Sequence, residues 1–452
     1  MQPQTLITEA SAPVEAGYAR PRAEELARER RMLLVMVLVA LALRLAVLTI
    51  GATYKFPARE DHFSFGWETG RIARSIATGE GFSSPFHGHT GPTAWIAPLY
   101  PYFLALLFKL FGVYSNAAAW LALAFNSIFS ALTCITIYYL GKEIFGLKVA
   151  KWAAWIWAVL PYSIYWAIRF AWETSLATFL LSVVFLLAVR IEHDGRVRDW
   201  ICFGLLWGII ALANPSLLAF LPFAGAWILY RQWRNASLRF APVLLSAVIF
   251  VLVITPWLIR NYRTFGQVVF IRGNFGAELR MGNGPNADGT WMFWLHPTQN
   301  KLQLERYREL GEPDYVKERQ GQALEWIANN PGRFAQISLK RAFFFWFGTP
   351  RAARSAVEAQ TKDWFFSLSS ILALLGLGVA LKRRTRAAWL FFSLIVSVPM
   401  MYYFTFSHPR YRHPIEPELL LLIVFVISEA KHGGNAAVAH AGTTSGPRIT
   451  QA

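Results

Sequence analysis

The chain has two cysteines in 452 residues, Cys134 and Cys202, and both fall inside apolar runs. This leaves no disulfide framework and no thiolate metal site on the loops. Charged residues make up only 16%, against about 25% in ordinary soluble proteins. Acids are the scarcer sign, 27 against 44 Lys and Arg. The sequence contains no G-x-x-x-x-G-K-[ST] loop, and no G-x-G-x-x-G in a strand–helix–strand setting, so nothing in it supports nucleotide-driven chemistry.

Apolar residues account for 55% of the chain. They fall in runs near 32–50, 98–112, 118–140, 149–167, 174–190, 200–213, 216–230, 240–258, 364–381, 387–405 and 415–429. A helix of roughly 20 apolar residues crosses a bilayer, so the pattern predicts an all-α polytopic membrane protein. The net charge of +17 belongs to short loops between the runs, which points to topology and lipid headgroups and not to nucleic acid. The basic loops "GKEIFGLKVAK", "RIEHDGRVRD", "RQWRNASLR" and "KRRTR" all fall on the inner side if "PLYPYFLALLFKLFG" at 98–112 is re-entrant or interfacial. About ten spans then remain. The organisation expected is an inner N-terminal segment 1–31, a membrane module 32–258 with a first outer loop 51–117, an outer region 259–363, C-terminal spans 364–430, and a disordered inner tail 431–452.

Against that background the stretch "FPAREDHFSFGWETGRIARSIATGEGF" stands out. It gathers Glu60, Asp61 and Glu68 just after the first run. Asp61 and Glu68 are seven apart, which puts them on one side of a continuous helix. Glu60, beside Arg59, reads as a solvated pair. Glu173 opens a later run, where a carboxylate also suits the helix dipole, and Arg169 lies just before it. "SHPRYRHPIEP" carries Arg410, Tyr411 and Arg412 before the last run, and "TPWLIRNYRTFG" carries Arg260. Such arginines pair with lipid headgroups or grip one phosphate through a forked contact. Asn283, in the turn-rich "MGNGPNADG", and His89, in "HGHTGP", complete the candidates for contact with substrate. The His87/His89 pair has no third ligand at metal spacing, so no metal site is predicted.

Taken in order, "RIARSIATGEGF", "APLYPYFLALLFKLFG", "LANPSLLAFLPF", "PWLIRNYRTFG", "GNFGAELRMGNGPNADG" and "PRYRHPIEPELLLL" resemble the GT-C superfamily of integral-membrane glycosyltransferases. The branch resembled is family 39-like, with protein mannosyltransferase and aminoarabinose transferase relatives. The resemblance implies an inverting transferase that takes a sugar from a polyprenyl-phosphate donor at the outer, periplasmic face of the inner (plasma) membrane. It implies a base on the first outer loop, either Asp61 or Glu68, and a second acid at Glu173. It also implies a donor phosphate held by arginines, with Arg410 and Arg412 at the matching motif and Arg260 and Arg169 as further candidates. Asp61 has the family-like aromatic four residues on, at Phe65; Glu68 fits the later landmarks better. A divalent metal and the identity of the lipid, glycan or protein acceptor stay open. The alternative is a transporter or lipid-linked-sugar flippase, for which the charge of Arg44 deep in the first run is the main support.

Overall fold

A computed structural model describes residues 23–58, 61–349 and 356–443. Glu60 with Arg59, the segment before Ala23 and the end of the tail lie outside them. The described residues form helices and loops without a strand; one isolated bridge joins Ser83 to Pro92.

Helix α1 (Ala23–Ile50) leads into a short α2 (Trp67–Ala77) and α3 (Leu99–Phe111). Then follow α4 (Asn116–Ile144), α5 (Leu147–Val159), α6 (Pro161–Arg169), α7 (Thr174–Asp194), α8 (Val197–Ala213), α9 (Leu221–Arg234) and α10 (Phe240–Phe265). After α11 (Phe275–Gly282), α12 (Lys301–Asn329) and α13 (Pro331–Phe347), the chain closes with α14 (Ala356–Lys382), α15 (Ala388–Phe404) and α16 (Glu416–Thr443). Among the described residues five helices are long and apolar enough to cross a membrane: Ala23–Ile50, Asn116–Ile144, Thr174–Glu192, Phe240–Phe265 and Asp363–Lys382. The run at 98–112 forms a helix of 13 residues, about 20 Å at 1.5 Å per residue, short of a hydrocarbon core of about 30 Å. Helix α16 continues to Thr443, into the segment expected to be disordered.

The expected span 149–167 is broken in two. Pro161 has no N–H, so the carbonyl of Trp157 one turn earlier loses its helical partner. Arg44 of α1 fills the gap. Its guanidinium donates to Trp157 O (3.2 Å), Ala158 O (2.8 Å), Ser163 Oγ (2.8 Å) and Ser130 Oγ (3.0 Å). The buried charge is thus a structural cap on a helix break. It is fully buried and spent on these acceptors, which gives the charge a structural role in place of the transport role it suggested.

Helices α8 and α10 approach closely through Gly204 and Gly208, spaced four apart. A Cβ at Gly204 would collide with the Ser246 carbonyl, and one at Gly208 with the Val253 side chain. Small residues at this spacing let membrane helices pack backbone to backbone.

The two ends of the bundle differ. At one end the basic loops are tied by ion pairs: Lys142–Glu29 (2.6 Å), Arg190–Glu143 (2.8 Å), Arg231–Glu192 (2.5 Å) and Arg386–Glu192 (2.9 Å). At the other end lie the C-terminus of α1, the N-termini of α4, α7 and α16, and the long connections between them. The candidate site is at that second end.

Candidate active site

Gly66 adopts a φ of 71° and separates a 3-10 turn at Phe63–Phe65 from α2. A side chain is disfavoured at that φ. Helix α2 therefore restarts at Trp67, and Glu68 sits in its first turn, where the dipole favours a carboxylate. Asp61 and Glu68 do not share one helix, contrary to the expectation.

Glu68 Oε1 lies 2.9 Å from His296 Nε2. The backbone N–H of Thr298 points at His296 Nδ1, 3.2 Å away. A backbone amide can only donate, so Nδ1 accepts and Nε2 carries the proton that Glu68 receives. Burial by itself pushes the Glu68 carboxyl up, but the His296 hydrogen bond and the nearby Arg272 outweigh it and hold the group below its ordinary value. Glu278, in the first turn of α11, goes the other way. Burial raises its carboxyl, and Arg272 and His296 only partly offset this. Two carboxyls with values pushed apart are what a site needs to hold one ionised and one protonated.

Arg272 donates to Glu278 (3.0 Å) and, through Nε, to Trp95 O (3.0 Å). That anchors the 94–97 segment, which is held further by Gly273 N–H to Ala94 O (2.8 Å) and by Ala94 N–H to the buried Glu312 (2.6 Å). Arg410 lies flat over Trp172, 4.4 Å from the ring centre. Tyr411 stacks on Tyr402 at 4.1 Å.

Glu68, Glu173, Glu278, Arg272, Arg410 and Tyr411 all line one cleft, walled by Trp67, Trp95, Trp172 and Trp291 and holding about 980 Å³ of space, part of it open to solvent. The arrangement offers carboxylates for proton transfer, arginines for a developing negative charge, and aromatic faces for the apolar side of a ring-shaped ligand. Among the described residues no three His, Cys, Asp or Glu side chains gather at metal-holding positions.

Five of the residues picked out in the sequence lie elsewhere, and a sixth stops short of the cleft. Asp61 is in a neighbouring pocket, paired with Arg71 and 3.3 Å from His87. Arg412 is fully buried against Glu416 at 2.7 Å, with Ser369 and Ser370 as further acceptors, so it has no free face for a phosphate. Arg260 is spent on the carbonyls of Thr93 (2.6 Å) and Phe82 (2.8 Å). Asn283 bonds Leu279 O and Phe404 O and accepts from Arg341; it is a buried brace. His89 is 76% exposed and faces Glu80. Arg169 contacts Ser64 Oγ at 3.4 Å and the Phe170 ring, outside the cleft lining.

Three residues of the cleft were not singled out. Glu278 could have been: it is an acid inside the Gly-rich "GNFGAELRMGNGPNADG", in a chain poor in acids. Arg272 and His296 had no local pattern around them.

The chain is a helical bundle with an acid-and-arginine cleft at one end, and its fold is similar to that of a solved membrane oligosaccharyltransferase. Residues 94–259 match the family described as dolichyl-phosphate-mannose-protein mannosyltransferase. The archaeal oligosaccharyltransferase AglB of Archaeoglobus fulgidus, solved with an inhibitory peptide and a dolichol-phosphate, superposes with a TM-score of 0.53 at 16% identity. The match covers 95% of this chain and 53% of AglB, so the chain spans about half the length of that protein. ArnT of Cupriavidus metallidurans, solved with undecaprenyl phosphate, aligns at 13% identity and a TM-score of 0.40, over 89% of this chain and 79% of ArnT. No curated protein matches the chain.

Proposed function

We propose that the chain is an inverting glycosyltransferase that moves a sugar from a polyprenyl-phosphate-linked donor to an acceptor at the outer face of the inner membrane. The observation that carries this reading is the Glu68–His296 pair facing Glu173, Glu278, Arg272 and Arg410 across one aromatic-walled cleft. With the basic loops inside, the cleft end of the bundle faces out. A membrane-held carrier then delivers its sugar where helix ends meet water.

In this reading Glu68 is the base. It is ionised, oriented by His296 and able to take the proton of an acceptor hydroxyl or amine as that group attacks the anomeric carbon. A positioned base contributes about 10²- to 10⁴-fold. The carrier phosphate leaves on the opposite face of the sugar, and Arg410 and Arg272 receive its growing charge. Glu173 and Glu278 bind sugar or acceptor hydroxyls. The reading is tested with purified full-length protein, a labelled polyprenyl-phosphate sugar and a membrane extract. It predicts label in a new product with inverted anomeric configuration. Carrier movement without bond cleavage would overturn it.

A further inference from the structure

A second polar pocket lies beside the cleft, with about 660 Å³ of space. Helix α2 builds both sites. Glu68, Arg71 and Arg74 follow one another at three-residue spacing, so they lie on neighbouring turns. Glu68 enters the cleft, while Arg71 and Arg74 line the pocket together with His62, His87 and Tyr114. Arg71 is committed to Asp61, and its Nη1 donates to Thr298 Oγ1 (3.0 Å) and Pro85 O (3.2 Å). Arg74 makes no side-chain hydrogen bond or ion pair among the described residues. Arg308 closes the rim, donating to the His87 carbonyl at 2.6 Å.

We infer that this pocket binds a phosphoryl anion, carried by a membrane-lipid headgroup, with Arg74 as the free fork that grips it. The charge balance supports this. Asp61 offsets Arg71, and among the described residues no carboxylate pairs with the guanidinium of Arg74. A planar guanidinium with parallel N–H groups matches phosphate geometry. The local field agrees: after burial itself, Arg71, Arg74 and Arg308 are what hold His87 below its ordinary value, and Arg74 acts likewise on His62. Both imidazoles are thereby kept neutral, leaving the arginines as the cationic groups.

The backbone is also strained around the pocket. Asp61, His62 and Tyr114 take φ values of 52°, 53° and 55°, a region that residues with a side chain disfavour. The rings of His62 and Tyr114 are stacked at 3.9 Å with 3° between planes, which fixes that strained wall. The headgroup as source follows from position. Tyr114 follows the apolar end of α3, where Leu110 is 64% exposed, and Val113 just beyond the helix, 40% exposed, so the pocket sits where the lipid-facing surface ends.

Native mass spectrometry of the full chain in detergent tests this, with dihexanoyl phosphatidic acid and inorganic phosphate as probes. An Arg410→Gln background weakens the cleft, and Arg74 variants within it report on the pocket, so the reading of the cleft and the reading of the pocket can fail separately. In that background the lipid adduct is expected to persist. It should weaken about 10- to 150-fold in Arg74→Gln, as expected for a lost charge-assisted contact, recover in part in Arg74→Lys, and vanish in Arg74→Glu, with unchanged thermal midpoints. Competition by inorganic phosphate would show that the pocket reads the phosphoryl group itself; binding of the lipid alone would show that the headgroup is needed. Absence of both adducts, or equal lipid binding in folded Arg74→Gln, overturns the inference.

Discussion

Glu68 and Asp61 stand seven residues apart in one loop and end in different chemistry. Glu68 lies largely buried in an aromatic cleft, oriented by His296 and held below its ordinary value. Asp61 lies in the adjoining pocket, neutralised by Arg71. The difference comes from Gly66, whose positive φ breaks the path between them. Arg410 and Arg412 repeat the lesson two residues apart. Arg410 lies over Trp172 in the cleft; Arg412 is sealed by Glu416. In each pair residue type is shared or similar, and the backbone between the two decides which one reaches the cleft.

The first contrast can be broken at the chemical step. Glu68→Gln is expected to cut single-turnover transfer by about 10²- to 10⁴-fold with donor binding kept, while Asp61→Asn stays within about tenfold of wild type. Equal losses would erase the distinction. For the arginines the readout splits. Arg412→Gln leaves Glu416 buried without its partner, a change that costs about 3–5 kcal/mol, visible as a lowered unfolding midpoint in detergent. Arg410→Gln should leave that midpoint in place and weaken donor binding about 10- to 150-fold. The opposite split would reassign the phosphate contact to Arg412.

The histidine sharpens the comparison through pH. Glu68 is held below its ordinary value, so its carboxylate stays ionised until the pH falls to that range. By linkage, the stability its ionised form contributes is present above the unfolded-state value and lost as pH falls through the folded one. His296→Phe removes the hydrogen bond that opposes burial. The acid limb of kcat/KM should then move to higher pH; a limb that stays put or moves lower would count against the pairing. The smallest perturbation concerns the two ends of the bundle. Val113→Cys and Lys148→Cys should label from opposite sides of the membrane with little change in activity, and labelling from one side would reject the proposed orientation. Gly141 is unsuited to such a probe, because a Cβ there meets the Ala150 backbone.

Much of the architecture was legible along the chain. Apolar runs longer than a few turns have few places to go except a bilayer, and the loops carry their own charge signature, later seen tied together at one end. Asp61 and Glu68 after the first run, Glu173, and Arg410 of the motif before the last run all lie at the cleft end of the bundle. What the chain could not show was which members of each group meet. The break at Pro161 was written in the sequence, but the use of Arg44 to satisfy it was not, because the two are more than a hundred residues apart.

By itself, then, the sequence determined a polytopic helical protein with a polar, acid-bearing end, since hydrophobic length and charge placement act locally and survive without knowledge of neighbours. The tertiary structure alone decided that Glu68 and not Asp61 faces Glu173, Glu278 and Arg410, and that His296 supplies its hydrogen bond. Those assignments bring into one cleft residues up to 342 positions apart, Glu68 and Arg410, and rest on one glycine's φ. A hydrogen bond and a desolvated charge depend on where side chains meet in space, which spacing along the chain does not encode.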